Sequence, residues 1–240
     1  MFLLTSLIAC LILACVMPFL GQRVLERRIV FVDLALAQFA ATGYAVGLAT
    51  DTSGLLWAGG ITLLVVLVFA GLPHSTNLPK EGVMGAMYAV AAAAGMLILT
   101  RLPHAEGHMN ELMFGSLLGV GWSDLAVLAG SGVLAIVALH FAGNDWYGER
   151  VLFYLALALA VVPAIHAVGV VLVFAMLLLP ALAVWKGEVS GPIWQALAVG
   201  IAGALSGIFA AEYLDLPPSS SVVLALFVCG FPLFVLNFRR

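Results

Sequence analysis

Apolar residues run through this chain in long stretches, and the polar residues are confined to short connectors between them. The stretch from Leu55 to Ala70 is apolar on every face. A barrel strand would alternate apolar and polar positions, so helices are the better reading. A helix crossing the hydrocarbon core takes about 20 apolar residues. Runs of suitable character lie near 2–20, 31–50, 54–72, 82–100, 122–142, 151–165, 167–185, 193–211 and 220–237, which predicts nine spans, give or take one. The uncertain place is Pro163 to Gly169, where a proline, His166 and a glycine either break one long element or separate two short ones.

Composition agrees with this pattern. Of 240 residues, 64% are hydrophobic and 9% charged, and the mean hydropathy is +1.19, too apolar for a water-soluble surface. The prediction is an all-α, polytopic transmembrane bundle in a single domain, residues 1–240. Its connectors are too short to hold a second domain. The net charge of −3 and the scattered basic residues offer no stripe for nucleic acid. Cys10, Cys15 and Cys229 lie within apolar runs without CxxC spacing and read as small buried hydrophobes. The first run has no basic residue before it and a basic cluster after it, the reverse of a secretory leader, so it reads as a retained first helix.

Lysine and arginine are retained on the cytoplasmic side of a membrane. With the N-terminus outside, Arg23, Arg27, Arg28, Lys80, Arg150, Lys186, Arg239 and Arg240 fall inside and Arg101 alone falls outside. An odd number of spans then leaves the C-terminus in the cytoplasm. Glycines four apart at Gly43/Gly47, Gly115/Gly119 and Gly203/Gly207 read as close helix contacts within the bundle.

A phosphate-binding P-loop needs Gly-Lys before Ser or Thr. The lysines here are Lys80, after Pro79, and Lys186, after Trp185. Uphill transport by this chain would therefore draw on a partner ATPase or an ion gradient. Ionisable residues within or near the spans are few, namely Asp33, His140, His166 and Glu212, which favours the ATPase.

Several blocks, in order, resemble the permease subunits of zinc/manganese/iron-type metal ABC importers. They are the basic turn at residues 20–28, then Phe31 to Gln38 ending at Gly43, and Glu81 to Gly85. Leu112 to Leu118 with Asp124 follows, then the glycine-led helix ending Leu179-Pro180-Ala181, and finally Leu214 to Pro217. The resemblance implies a permease homodimer in the bacterial inner membrane, bound to separate ABC ATPase subunits and fed by an external metal-binding protein. The metal ion is then the transported substrate rather than a resident cofactor. It also makes residues 181–194 the cytoplasmic element that docks on the ATPase.

The family carries an aspartate and a histidine four apart on its second helix. Here Asp33 and Gln38 are five apart, which separates them by about 140° on an ideal helix. If Gln38 takes the histidine's place, Leu34 takes the aspartate's. Among other candidate ligands, His104, Glu106, His108 and Glu111 form the densest donor cluster, on an external connector. Neutral imidazole with carboxylate suits zinc, iron or manganese, and a plain solvated loop explains the cluster equally well. His166, beside the helix break, fits either a pathway lining or a hydrogen-bonded bundle histidine. The altered second helix keeps a permease for a chelated metal or organic cofactor open, and a non-transporting membrane scaffold is the reading from another class.

Overall fold

The computed structural model describes residues 2–71, 80–101, 107, 115, 117–141, 147–186 and 189–238. These residues form nine α-helices: α1 (Phe2–Glu26), α2 (Phe31–Ala49), α3 (Gly54–Gly71), α4 (Lys80–Leu99), α5 (Trp122–Phe141), α6 (Tyr147–Val168), α7 (Val170–Ala183), α8 (Ile193–Leu214) and α9 (Pro218–Phe238). A 3-10 turn, Leu117–Gly119, precedes α5. Lipid offers no partner to a backbone N–H or C=O, so an apolar run must satisfy its own backbone, and the helix does this within one segment.

Eight helices are long and apolar enough to span a membrane. The ninth, α7, has 14 residues, about 21 Å of helix against a core of about 30 Å. The break in the uncertain region falls at Gly169, while Pro163 lies inside α6. A membrane helix tolerates proline when neighbours satisfy the freed backbone. Gly169, at φ 87° and ψ 159°, sits where essentially only glycine is accommodated.

The helices alternate in direction. Tyr44, late in α2, lies against Gly54 at the start of α3 and against His166 late in α6. Arg27, just after α1, sits 3.9 Å above the ring of Phe153, early in α6. Gly21, late in α1, abuts Leu177 and Ala181, late in α7, so α6 and α7 run opposite ways from their joint at Gly169. The first helix therefore begins, and the last finishes, at opposite ends of the bundle, as nine alternating helices require. Arg23, Arg27, Arg28, Arg150 and Lys186 lie at one end and Arg101 at the other, which makes the basic end cytoplasmic.

The bundle has a centre and a periphery. In α1, α2 and α6, 61% of the apolar window is buried, against 22–39% in α3, α4, α5, α8 and α9. The short α7 is also largely buried, packed on α1, α8 and α9. Gly43 and Gly47 let α2 close onto Trp57, Ala58 and Gly54 of α3, and Gly203 and Gly207 let α8 close onto Leu226 and Val222 of α9. Both pairs serve packing within the chain, as their spacing suggests. Gly115 and Gly119 lie off any α-helix.

Thr42 ties α2 to α4, its Oγ1 standing 2.8 Å from the carbonyl of Gln38 and 2.8 Å from that of Ala91. One hydroxyl proton serves both acceptors. Thr42→Val is expected to lower stability by about 0.5–1.5 kcal/mol, read as a small fall in the unfolding midpoint in detergent.

Candidate functional site

Asp33 stands in the first turn of α2, fully buried, and neither carboxylate oxygen has a hydrogen-bond partner. The bundle places it there because Asp33, Ala37, Ala40 and Tyr44 share one helix face, four and three residues apart, and that face is buried as far as Ala40 and half-buried at Tyr44. Arg27, six residues earlier in the chain, stacks on Phe153. An acidic side chain inside a membrane bundle is costly unless it is paired or meets a cation or water in the working cycle.

Gln38 lies on a different face. It is half-buried, in line with Leu34 and Thr42, where its main-chain carbonyl accepts from the threonine hydroxyl. Asp33 and Gln38 therefore form no ligand pair on α2. The exposed His166 approaches Tyr44, with ring centroids 5.1 Å apart at 44°. The crevice around them is lined by Ala40, Ala41, Leu55, Ala58, Val162 and Ile165. It opens near the end of the bundle opposite Asp33, since eleven residues of helix, about 16 Å, separate Asp33 from Tyr44. The structure thus leaves Asp33, Gln38 and His166 apart. Among the described residues no three His, Cys, Asp or Glu side chains come together to hold a metal ion. His104, Glu106, His108 and Glu111 lie outside the described residues.

At the basic end, the segment that follows α7 is tied down on both sides. Gln22 Nε2 of α1 donates to the Gly191 carbonyl at 2.9 Å, and Asn237 Nδ2 of α9 donates to the Ala183 carbonyl at 3.2 Å. A short antiparallel bridge joins Lys186 and Val189, and Val189 and Trp194 project into the surroundings. The opposite end holds a contact that sequence reading missed. Gly115, at φ 70°, leaves room for the Val168–Gly169 peptide, and Ser6 Oγ donates to the Leu117 carbonyl at 2.8 Å. Both glycines belong to blocks that stand out in the sequence, but their meeting across more than fifty residues is a tertiary fact.

The chain matches the ABC 3 transport family over residues 1–148 and 146–237. A Haemophilus influenzae membrane protein named for an iron transport system is 25% identical, over 92% of this chain and 87% of its own length. The manganese transport system membrane protein MntC of Halalkalibacterium halodurans is 23% identical, over 93% and 83%. Among solved structures, PsaBC from Streptococcus pneumoniae in complex with Fab superposes with a TM-score of 0.79 at 18% identity. That match covers 97% of this chain and 91% of the other, and it is a likeness of fold. The spanning helices and these relatives make this a multi-pass protein of the bacterial inner membrane. With the family matched along almost its whole length, the chain belongs to the ABC 3 transport family.

Proposed function

We propose that this chain is the membrane permease subunit of an ATP-driven importer of divalent transition-metal ions, zinc, manganese or iron. The observation that carries this is the alignment, over most of both chains, with family members named for iron and manganese transport. Asp33 supports it, as a hard oxygen donor buried in a membrane helix without a partner. Since neither lysine stands in a P-loop, ATP hydrolysis belongs to a separate ABC ATPase. Residues 181–194, at the basic end and held by Gln22 and Asn237, form its docking element. An external metal-binding protein delivers the ion, and a second copy of the chain completes the permease. Nucleotide binding and hydrolysis on the partner bias the bundle between outward-open and inward-open arrangements.

The test is reconstitution in lipid vesicles. The chain is expected to co-purify with an ABC ATPase, and hydrolysis should rise when metal-loaded binding protein is added outside. Metal uptake by the chain alone, without nucleotide, would overturn the proposal.

One observation favours a second reading. Because Asp33 and Gln38 face different ways, α2 carries no paired ligands for a bare ion, which suits a metal chelate as substrate. Competition between free metal and chelate for uptake separates the two, and saturation by bare ion with no effect of chelate removes the second.

A further inference from the structure

Helix α6 packs on α1, α2 and α7 and is flanked by α3 and α5, which do not close together over it. Between these two a crevice of about 270 Å³ reaches down to α6. Both flanking helices belong to the periphery of the bundle, with 33% and 28% of their apolar windows buried, so the crevice opens toward lipid. No charged side chain lines it. Its polar groups are three oxygens, those of Thr62 on α3, Ser131 on α5 and the Leu159 carbonyl on α6. Counted from Gly54, Trp122 and Val168, the outer ends of the three helices, these lie eight, nine and nine residues inward. At about 1.5 Å per residue all three are about 12–14 Å deep, near the middle of a hydrocarbon core of about 30 Å. Lipid headgroups do not reach that depth.

Hydroxyls on the helices of this chain turn back on their own backbone. Thr42 donates to the Gln38 carbonyl, Ser131 to Leu128, Ser206 to Ala202 and Ser221 to Pro217. Thr62 does not. It is 1% exposed, and its Oγ1 has no hydrogen-bond partner. Across the crevice, Pro163 has no N–H to offer the Leu159 carbonyl four residues before it, so that oxygen lacks its helical donor. Ser131, having given its proton to Leu128, still accepts. A donor without an acceptor and an acceptor without a donor therefore line one apolar slot, where water is scarce and an unmade hydrogen bond is costly.

We propose that this crevice is a binding site for a membrane-dissolved alcohol or phenol, an apolar molecule that carries its hydroxyl at the buried end. The hydroxyl accepts from Thr62 and donates to the Leu159 carbonyl, which no hydrocarbon chain does. An apolar cavity of about 150 Å³ holds benzene, so this one takes a ring or a branched chain, with the rest of the molecule in lipid. Gly59 keeps the mouth wide, since a Cβ there would meet nothing within 4 Å. An anion finds no cation in the lining, and a helix of a second copy, about 10 Å across, is too thick for the slot. Once bound, the molecule ties α3 to α6.

Photolabelling of the purified permease in lipid tests this, with a diazirine-bearing long-chain alcohol and the matching alkane. The alcohol is expected to label the crevice-facing residues of α3 and α6 about fivefold more than the alkane does, and to raise the unfolding midpoint as it saturates. Thr62→Val keeps the shape and removes the hydroxyl. It should fold as well as the wild type, retain alkane labelling and lose the preference for alcohol. Gly59→Leu, tolerated because the space beside it is open, should block both probes.

Four results overturn the proposal. Equal labelling by alcohol and alkane in the wild type means that water answers the Thr62 hydroxyl. A preference for alcohol that survives Thr62→Val places the recognition elsewhere. A marked fall in the unfolding midpoint of Thr62→Val means that the hydroxyl has a partner within the protein. Labelling that disappears when the permease dimerises means that the second copy covers this face.

Discussion

Gly21→Ala is expected to leave little folded protein, whereas Gly60→Ala, the same chemical change on another helix, leaves yield and unfolding midpoint unchanged or slightly higher. The added methyl at position 21 would occupy the place of the Leu177 carbonyl, with the Ala181 methyl 3.2 Å away. A flexible side chain in that position would swing aside, but a helix backbone cannot. Accommodation therefore means pushing α1 from α7 along much of their shared length, and these are two of the most buried helices in the bundle. Overpacking a well-filled core costs about 1–3 kcal/mol, and a backbone obstacle belongs at the upper end of that range. At position 60 a methyl meets nothing within 4 Å. What remains there is the helix preference for alanine over glycine, about 0.5–1 kcal/mol in favour of the variant. Size-exclusion profiles and unfolding midpoints in one detergent measure both. Equal behaviour of the two variants would mean that α1 and α7 do not pack as described.

This contrast also marks where the sequence was readable. Helix ends followed the apolar runs closely when a run stopped at a polar turn, as α2 does before Thr50 and Asp51 and α3 does at Gly71. They were misjudged where a helix continues past the apolar part. The first helix runs on through Gln22 and Arg23 to Glu26, and α6 begins four residues before the expected start, because helical hydrogen bonding does not stop at the lipid boundary. The separation of Asp33 from Gln38 followed from helical spacing alone. The burial of Asp33 and its want of a partner did not, since both depend on which helices pack against that face. Likewise Tyr44 and His166 are unremarkable as single residues, and only the packing of α2 on α6 brings their rings together. Position 21 shows the same limit. It is one glycine among 25 in the sequence, and only the fold shows the Leu177 carbonyl beside it.

Asp33→Leu is expected to raise the unfolding midpoint while lowering metal uptake by about tenfold or more, the stability gain reflecting a removed burial penalty of about 1–3 kcal/mol. A carboxyl group that is fully buried and bonded to nothing contributes no stability to the arrangement in which it is seen. Leucine has the same branching and suits the apolar surroundings, and its methyl groups are bulkier than the carboxylate oxygens. Asp33→Asn separates shape from chemistry, since it keeps the size and a polar head but gives up the charge and the affinity for a divalent ion. It should match the wild type in stability and resemble Asp33→Leu in transport. Residues that weaken a fold and are needed for its work are expected at functional sites, and that combination is the result to look for. Two results would remove Asp33 from the pathway. Normal uptake of zinc, manganese and iron by both variants shows that no ion depends on the carboxylate. A marked loss of stability in Asp33→Asn, which keeps the volume, shows that the carboxylate has a structural partner, which makes its role one of packing rather than passage.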